Sequence, residues 1–335
     1  MTIIPEGYAS QLTLRETEVA IKRVKDFIQV KLAQALNLTR VSAPLFVRPE
    51  TGLNDNLSGT ERPVSFGVKA LGGARCEIVH SLAKWKRMAL DEYGFGPGEG
   101  LYTDMNAIRR DEAELDNLHS VYVDQWDWEK HLPQGARNEE TLRDTVRGIY
   151  GVLREAEAYV CGEYPQFSPY LPPEIAFVTA QQLEDEWPRL TPHEREYRIA
   201  KRHGAVFIMQ VGKRLASGQV HDLRAPDYDD WTLNGDIFVF DPVLDCAMEL
   251  SSMGIRVDRQ CLLRQLQEAG CMERAELPFH RLLLADRLPP SIGGGIGQSR
   301  VCMLLLRKAH IGEVHASVWP EETRRICAEH RVALL

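Results

Sequence analysis

Four glycines that precede an arginine form the run in this 335-residue chain that most clearly indicates chemistry. The run Gly293–Gly297 leads to Arg300, and the apolar stretch Val301–Leu306 follows. Glycine lets a backbone approach a ligand closely, and the first turn of a helix attracts an anion. The pattern predicts a helix that opens at the glycines, with Arg300 covering a nucleotide base or gripping a phosphate. A tight turn without a ligand is the alternative, and the glycine spacing is not that of a dinucleotide-binding fingerprint.

The segment Gln125–Glu129 alternates polar residues with two tryptophans. Alternate residues of a strand share a face, so Gln125, Asp127 and Glu129 are expected to point one way. The tryptophans then face the core. An amide and carboxylates on one face are able to hold a polar ligand, although a solvent-exposed polar face is the alternative.

Two further segments could contact a phosphate. Arg109 ends a predicted strand, where it could hold a phosphate through two hydrogen bonds or pair with a neighbouring acidic residue. Glu249 and Ser251 are predicted to share a face if their strand continues. A carboxylate beside phosphate-binding arginines makes sense if Mg²⁺ lies between them, and Asp236 and Asp229 could assist. A bulged strand with an ordinary salt bridge is the alternative for this second segment.

Lysines and histidines give weaker signals. Lys84 and Lys86 frame Trp85 on a predicted helix, and one of them could face a pocket as a carboxylate anchor. Isolated lysines more often face solvent. The histidines at 80, 119 and 221 lack the spacing of metal ligands and are interpreted as structural.

Composition excludes several classes of protein. The chain has 40 basic and 48 acidic residues, so its net charge of −8 disfavours a nucleic-acid partner. Its seven cysteines form no C-x-x-C pair, which indicates free thiols in a reducing compartment. No apolar run approaches the ~18 residues of a membrane span, and the first ten residues lack the core of a signal peptide. We therefore expect a cytoplasmic protein without membrane contact.

Helices and strands that would carry these side chains are predicted along the whole chain. Helical periodicity predicts a first helix over Leu14–Leu36. A proline inside the predicted strand Arg40–Val47 indicates that this strand lies at an edge or an interface. Two predicted strands, Leu101–Arg109 and Val121–Glu129, flank a polar loop, and a second long loop is predicted over Gly218–Gly235.

Strand-rich segments that return through hairpins favour a mixed α/β (α+β) fold with a mostly antiparallel sheet flanked by helices. No internal repeat or long linker divides the chain. We therefore expect one domain over residues 1–335.

In chain order, these pieces resemble the three signatures of class II aminoacyl-tRNA synthetases. The first helix with Val41–Leu45 is similar to the signature that builds the dimer interface in that class. The strands around Arg109 are similar to the second signature, and Gly293–Arg300 with its helix to the third. The resemblance implies a class II synthetase-like catalytic domain and a homodimer.

The details are most similar to the aspartate branch of that class. Ser81–Lys86 is similar to its serine–proline–glutamine–x–phenylalanine–lysine stretch, Gln125 and Asp127 to its glutamine–x–aspartate, and Glu249 and Arg256 to its glutamate and arginine seven residues apart. Aspartyl-tRNA synthetases carry an anticodon-binding barrel before the first signature. Here the first signature starts almost at the first residue.

The chain therefore resembles the ammonia-dependent asparagine synthetases (aspartate–ammonia ligases), stand-alone relatives of that catalytic domain, over nearly its whole length. The similar stretches are His80–Arg87, Ser120–Glu129, Arg224–Trp231, Glu249–Val257 and Gly293–Arg300. The chain departs from the family pattern after Trp231, where only Thr232 replaces a longer segment. The loop that carries Arg224 and Asp229 is therefore expected to close differently.

The family's reaction implies ATP as a substrate and Mg²⁺ as a cofactor. Aspartate and ATP give β-aspartyl-AMP and pyrophosphate, and ammonia then gives asparagine and AMP. By residue-wise match, Arg109 would hold the α-phosphate, Arg300 the adenine, and Glu249 with Asp236 the Mg²⁺. The nucleotide-binding residues implied are Arg109, Arg224, Asp229, Asp236, Glu249 and Arg300.

The same match implies a site for aspartate. Lys86 and Arg256 would anchor its carboxylates, while Gln125 and Asp127 would face its ammonium end. The substrate-binding residues implied are Ser81, Gln125, Asp127, Ser251, Ser252 and Arg256, and the catalytic residues are Asp55, Lys86 and Arg109.

Asp55 in the loop Asp55–Gly59 would attract ammonium and accept its proton. Its alternative role is to cap the turn before Leu57. Residue 2 is Thr2, not the cysteine nucleophile of glutamine-dependent enzymes, so free ammonia is the simpler nitrogen donor.

Two rival functions stay open from the sequence. A fragment of an aspartyl- or asparaginyl-tRNA synthetase would aminoacylate tRNA and would carry a basic surface. A non-catalytic paralogue that binds a nucleotide or a partner protein would have lost some of Arg109, Glu249 and Arg300, all of which are present.

Overall fold

The computed structural model describes residues 1–55, 57 and 61–335, so most of the predicted loop Asp55–Gly59 lies outside the described residues. The strands are β1 (Leu38–Arg40), β2 (Phe46–Val47), β3 (Ser65–Val68), β4 (Ala74–Ile78), β5 (Gly100–Ile108), β6 (Tyr122–His131), β7 (Ala176–Thr179), β8 (Ala205–Met209), β9 (Asp229–Asp241), β10 (Cys246–Arg256) and β11 (Ser291–Gly297).

The helices surround these strands. They are α1 (Leu14–Leu36), α2 (Ala83–Glu92), α3 (Glu139–Glu163), α4 (Ala180–Glu186), α5 (Pro192–His203), α6 (Arg259–Glu268), α7 (Pro278–Leu284), α8 (Gln298–Leu305) and α9 (Glu321–Glu329). Over the described residues, none of them combines the length and the apolar character that crossing a membrane requires.

Eight strands form one large sheet in the order β1-β5-β6-β11-β10-β9-β8-β7, and β2-β4-β3 form a small antiparallel sheet beside it. Only the outermost pairs of the large sheet, β1–β5 and β7–β8, are parallel. The pairs between them are antiparallel. The expected mixed fold with a mostly antiparallel sheet and flanking helices is confirmed.

Helix α1 has the predicted bounds because both of its ends are capped. The Thr13 side chain accepts a hydrogen bond from the backbone N–H of Glu16, the Glu16 carboxylate binds back to Thr13, and Asn37 ends the helix in the left-handed conformation. The helix packs on α3 and α8 with its apolar stripe. Val19 and Val30 of this helix are exposed. The homodimer stays a prediction.

The large sheet has a core face and a polar face. Trp126 and Trp128 are fully buried on the core face, as predicted, beneath α1, α3 and α8. Helix α2 crosses β6 and β11. On the polar face, β6 presents the side chains of Gln125 and Asp127. The alternation of tryptophans with polar residues thus separates the apolar core from the site.

The predicted helix follows the glycine run directly, but the glycines themselves form a strand. Residues Ser291–Gly297 form β11 in the middle of the large sheet, and α8 begins at Gln298, with Gly297 as its N-cap residue and Arg300 in its first turn. The glycines are needed because a Cβ at Gly293 would overlap the carboxylate of Glu129, and one at Gly295 would overlap the amide of Gln125. The run therefore lets side chains of β6 lie across a neighbouring strand.

Two other predicted elements are corrected. Arg40–Val47 is not one strand, because the chain leaves β1 after Arg40 and passes through Pro44 before β2. Its first part does lie at the edge of the large sheet. The predicted loop Gly218–Gly235 ends early, since β9 begins at Asp229 and runs on through Thr232.

Candidate active site

Two adjoining cavities lie on the polar face of the large sheet. The first cavity has a volume of about 310 Å³ and the second about 210 Å³. Arg109, Gln125, Glu249 and Ser252 line both. A ligand with two chemically different parts could therefore place one part in each cavity, with its middle next to Arg109.

Most of the residues that the sequence predicts for the site line these cavities. In the first cavity they are Ser81, Lys86, Arg109, Gln125, Asp127, Arg224, Asp229, Glu249, Ser252 and Arg256. In the second they are Arg109, Gln125, Glu249, Ser251, Ser252 and Arg300. Asp55 and Asp236 line neither cavity and lie behind the walls.

A buried network of five charged side chains forms part of the wall of the first cavity. We call Lys86, Asp127, Glu129, Arg256 and Asp229 the pocket network. Lys86 Nζ donates to a carboxylate oxygen of Asp127, to the carbonyl oxygen of Trp128 at 2.9 Å and to that of Gly294 at 3.1 Å. The side chain of Lys86 is completely buried. Since three acceptors hold the ammonium group, its position is fixed.

Arg256 forms the other half of the pocket network. Its Nε and Nη2 donate to both oxygens of Glu129, at 2.9 Å and 2.6 Å in the shortest contacts, and its Nη1 donates to Asp229. Ser291 donates a further hydrogen bond to Glu129 at 2.7 Å. A two-pronged arginine–carboxylate contact of this kind fixes orientation as well as distance.

Burial shifts the pKa values of the side chains in the pocket network. Burial lowers the pKa of Lys86 and raises the pKa of Asp127, although each partner opposes the shift of the other. Burial also acts to raise the pKa of Glu129, but Arg256 holds it below its ordinary value. The Arg256–Glu129 pair is therefore firmly ionised, whereas the Lys86–Asp127 pair is more easily perturbed.

The second cavity and its border carry the other arginines. Arg300 Nη1 donates to the carbonyl oxygen of Glu249 at 3.0 Å and lies 3.9 Å from its carboxylate. Arg109 Nε is buried and has no hydrogen-bond partner among the described residues. Burial and the neighbouring Arg300 lower the pKa of Arg109. Two guanidinium groups thus face each other across a space that would suit an anion.

Arg224 reaches over the first cavity from the segment before β9. Its Nη2 donates to Asp236, which explains why Asp236 lies behind the wall, and its Nη1 donates to Ser252 at 3.3 Å. Gln265 of α6 binds the same segment, with its Nε2 donating to the carbonyl oxygens of Pro226 and Asp229, each at 2.9 Å. The segment is closed over the cavity by these contacts.

A β-bulge corrects the predicted orientation around Ser251. The pairing of β10 with β9 shifts between Glu249 and Ser251, so Leu250 is an extra residue. As a result Ser252, not Ser251, shares the face of Glu249. Ser251 pairs with the core residues Ile237 and Ile296, although it still borders the second cavity.

A second set of buried charges lies behind the first cavity. We call Asp55, Lys84, Asp227, Arg274 and His280 the rear cluster. One carboxylate oxygen of Asp227 accepts hydrogen bonds from Lys84 at 3.2 Å, His280 at 3.0 Å and Arg274 at 3.3 Å. Burial acts to raise the pKa of Asp227, but these partners, led by Lys84, hold it far below its usual range.

Asp55 has both a capping contact and an unused oxygen. Its Oδ1 accepts a hydrogen bond from the backbone N–H of Leu57 at 2.7 Å, as the capping alternative predicts. Its Oδ2 is buried and has no hydrogen-bond partner within the described part of the chain. Burial raises the pKa of Asp55 to about 6, and Lys84 opposes that rise.

Comparison with known proteins agrees with this arrangement. The sequence model of aspartate–ammonia ligase matches residues 15–331. The chain is 61% identical to the aspartate–ammonia ligase of Ruminiclostridium cellulolyticum over 333 residues, 99% of each chain. It is 58% identical to that of Fusobacterium nucleatum over 329 residues, 98% of this chain and all of the relative. The chain belongs to the aspartate–ammonia ligase family.

Solved structures show how the ligase-family fold relates to other enzymes. Asparaginyl-tRNA synthetase from Pyrococcus horikoshii, complexed with asparaginyl-adenylate, superposes with a TM-score of 0.64 at 15% identity, over 91% of this chain and 70% of that one. Aspartyl-tRNA synthetase from Entamoeba histolytica gives 0.60 at 15% identity, over 90% and 59%. These aspartate–ammonia ligases therefore share a fold with tRNA synthetases, as the sequence resemblance implied.

Sequence reasoning missed part of what surrounds the site of this ligase-family chain. Lys84 and Lys86 are both buried, so the solvent-exposed alternative is wrong for each. Asp227 lies in the stretch Arg224–Trp231, but the sequence gives no signal for its contact with His280, 53 residues away. His80 and Tyr228 both line the first cavity, and neither was assigned there.

Proposed function

We propose that the protein makes L-asparagine from L-aspartate and ammonia with ATP, through β-aspartyl-AMP, and releases AMP and pyrophosphate. One observation supports this most directly: a cavity walled by the pocket network adjoins a cavity that holds two facing arginines, and Arg109 borders both. An amino-acid carboxylate and the α-phosphate of a nucleotide could meet at Arg109.

The charges of the pocket network suit an amino acid. With all five groups ionised, two positive and three negative charges leave one negative charge over. An α-ammonium group would balance it near Asp127 and Gln125, while Lys86 and Arg256 attract carboxylates. Ser81 and Ser252 supply neutral hydrogen-bond donors at the wall of the cavity. A pre-organised site of this kind orients the substrate without further rearrangement.

Adenylation needs charge stabilisation at the α-phosphate. The unpartnered Nε of Arg109 is a donor for a phosphate oxygen. Arg300 would lie against the adenine, and the segment with Arg224 and Asp229 would cover the nucleotide. The substrate's β-carboxylate oxygen attacks the α-phosphorus, and pyrophosphate leaves. Negative charge grows on the phosphate in that transition state, so Arg109 contributes most there.

We propose that Mg²⁺ accompanies ATP at Glu249 and Asp236. Burial raises the pKa of Asp236 and the nearby Glu249 raises it further, while Asp236 Oδ1 has no hydrogen-bond partner among the described residues. Such oxygen donors suit Mg²⁺. The described residues contain no group of three or more His, Cys, Asp or Glu side chains that could hold a metal, so phosphate oxygens would complete the site. When bound, Mg²⁺ neutralises charge on the pyrophosphate.

The second half-reaction needs free ammonia. Ammonium would transfer one proton to the Asp55 carboxylate, and the ammonia formed would attack the acyl carbon of β-aspartyl-AMP. A C–N bond forms, the C–O bond to AMP breaks, and the attacking nitrogen loses a second proton to the phosphate of the departing AMP. A carboxylate whose pKa is about 6 is ionised at neutral pH and is a stronger base than an ordinary aspartate.

We further propose a single class II synthetase-like domain over residues 1–335 and a cytoplasmic homodimer. The family match over residues 15–331 supports the single domain. Exposed apolar side chains on and near α1 support the dimer, namely Leu14, Val19, Val30, Leu45 and Phe46. A monomeric mass in solution at micromolar concentration would count against the dimer.

The test of this function is a complete product analysis. We expect asparagine, AMP and pyrophosphate in equal amounts from ATP, Mg²⁺, aspartate and ¹⁵N-ammonium, with the label in the side-chain amide. ADP and phosphate as products would contradict the adenylate. Charging of tRNA with aspartate or asparagine would favour the synthetase-fragment rival, and nucleotide binding without turnover would favour the non-catalytic one.

A further inference from the structure

The rear cluster is mostly buried and is tied to the site at two points. The side chains of Lys84 and Asp227 are 4% and 1% exposed, and that of His280 is fully buried, whereas that of Arg274 is 25% exposed. Asp227 directly precedes Tyr228, and Asp55 accepts a hydrogen bond from the backbone N–H of Leu57; Tyr228 and Leu57 both line the first cavity. The cluster therefore lies directly behind the wall of the first cavity, next to residues that a ligand there would touch.

Backbone contacts connect Asp55 to the helix that carries Lys84. The carbonyl oxygen of Asp55 accepts a hydrogen bond from His80 Nδ1 at 3.1 Å, and the side-chain oxygen of Asn54 accepts one from the backbone N–H of His80 at 2.9 Å. Helix α2 begins three residues after His80, and Lys84 lies in its first turn. The loop with Asp55 and the start of α2 thus form one packed unit.

Among the lysine, arginine and aspartate side chains of the rear cluster, the charges balance only when Asp55 is ionised. Lys84 and Arg274 are positive, Asp227 and Asp55 are negative, and His280 Nε2 contacts the Asp227 carboxylate at 3.0 Å. Protonation of Asp55 would leave one positive charge over in a dry environment, which is costly. Lys84 exerts the strongest charge attraction on Asp55, Asp227 repels it, and Arg274 attracts it more weakly.

The other titratable neighbours of Asp55 among the described residues carry no charge that would replace this balance. Tyr228, which interacts with Asp55, is uncharged because desolvation raises its pKa well above the ordinary value. Burial lowers the pKa of His80, so that ring is neutral at physiological pH. The positive charge that stabilises the Asp55 carboxylate therefore comes from Lys84 and Arg274.

We propose that Lys84 is a positioning residue for the ammonia step: it shares its charge between Asp227 and Asp55 and so keeps Asp55 ionised and ready to take a proton. Asp227, held by Arg274 and His280, fixes where the Lys84 ammonium group lies. This inference rests on the proposed role of Asp55 and deepens it. Lys84 does not contact substrate and acts only through Asp55.

Two substitutions in the rear cluster are expected to shift the pKa of Asp55 in opposite directions. Lys84→Met removes the attraction, so the pKa of Asp55 rises, whereas Asp227→Asn removes the repulsion and frees Lys84 to pair with Asp55, so that pKa falls. The shift for Lys84→Met is expected to be about one pH unit or more. A merely structural ion pair would give no such opposed signs.

The measurement is a ¹³C NMR titration of the full-length protein labelled at the side-chain carboxyl carbon of aspartate. The Asp55 signal is assigned by its loss in Asp55→Asn. Lys84→Arg keeps the charge and is expected to titrate like the wild type. Lys22→Met, which breaks an exposed ion pair with Asp26 on α1, is the matched control and is expected to leave the Asp55 signal unchanged.

If Lys84→Met folds and the pKa of Asp55 in it equals that of the wild type, the inference is overturned. If Lys84→Met does not fold, Arg274→Gln carries the test, because Arg274 is partly exposed and its loss is expected to raise the pKa of Asp55 by a smaller amount. An unchanged titration in that variant would likewise overturn the inference.

A kinetic arm separates this inference from the proposed function. Asparagine formation is expected to fall as pH drops through the pKa of Asp55, and Lys84→Met moves that fall to higher pH. Aspartate-dependent pyrophosphate exchange is expected to keep its wild-type pH profile. A shifted NMR titration with an unshifted profile of asparagine formation would support the rear cluster and contradict the role of Asp55 in catalysis.

Discussion

Two lysines of one helix, two residues apart, enter two different buried networks. Lys86 joins the pocket network, whose members line the first cavity except for Glu129, whereas Lys84 joins the rear cluster, none of whose members lines it. The pocket network has three negative and two positive side chains, whereas the lysine, arginine and aspartate charges of the rear cluster balance when Asp55 is ionised. The first arrangement is incomplete without a ligand, and the second is complete without one.

The comparison teaches that burial of charge serves two purposes here. A network with one excess negative charge beside a cavity attracts a positively charged group of a ligand. A balanced cluster behind the cavity sets the ionisation of one of its own members. Substitutions in the pocket network should therefore affect both half-reactions, and substitutions in the rear cluster chiefly the second.

The largest effect is expected for Lys86→Met. It removes the group that we propose anchors a substrate carboxylate, and it leaves Asp127 buried without its partner. We expect pyrophosphate exchange and asparagine formation to fall together by about a thousandfold, in the range found when a pre-organised charge contact is lost. Exchange retained while asparagine formation is lost would break the distinction between the two lysines. The far-ultraviolet circular dichroism spectrum controls for folding.

Arg256→Lys is expected to cost stability as well as activity. A lysine cannot reproduce the two-pronged contact with Glu129 while also holding Asp229. Leaving a buried carboxylate without its partner costs about 3 kcal/mol. Urea denaturation should show that loss, and Arg325→Lys in an exposed pair of α9 is the control that should change little. Equal stability of both variants would contradict the tight packing of the pocket network.

Gly293→Ala tests whether the glycines are needed to make room for side chains packed on β11. Its Cβ would overlap Glu129 and Arg256, so we expect a destabilisation of about 1–3 kcal/mol, as for other overpacked sites. At Gly297 the nearest atom would be Arg300 Cβ at 3.5 Å, so Gly297→Ala is expected to be nearly neutral. Thermal unfolding of the two variants measures the difference. Similar melting temperatures for Gly293→Ala and Gly297→Ala would count against this packing.

The smallest effects are expected at the second cavity. Arg300→Ala should weaken ATP binding about tenfold, since its stacking contact with the adenine is lost, while the fold is kept. Arg109→Ala should instead lower the rate of adenylation more than ATP binding, because the charge that it stabilises grows in the transition state. Isothermal titration and pyrophosphate exchange separate the two. Wild-type exchange in Arg109→Ala would refute its assignment.

How far the sequence predicts this molecule depends on the range of the interactions. Helix α1 was predictable because its periodicity and its Thr13 cap are local. The glycine run was misinterpreted because glycine suits both a turn and a strand beneath large side chains, and only the contact of Gly293 with Glu129 decides. The bulge at Leu250 depends on pairing with β9, which the local sequence does not show.

The sequence predicted which residues line the candidate site better than it predicted which of them contact each other. The alternation in Gln125–Glu129 and the family resemblance pointed to side chains that line the two cavities, and the roles assigned to them stay predictions. The sequence did not predict that Lys86 would bind Asp127, or that Asp236 would be held by Arg224. These pairings join distant segments and are determined by how the chain neutralises buried charge.

The most direct test of the account is the behaviour of Asp55→Asn in the two half-reactions. Asparagine keeps the size of the side chain and an oxygen for the Leu57 cap, but it cannot take a proton from ammonium. We predict that aspartate-dependent pyrophosphate exchange retains a substantial share of its wild-type rate while asparagine formation is lost. Equal loss of both activities would contradict the account and leave Asp55 with a capping or substrate-binding role.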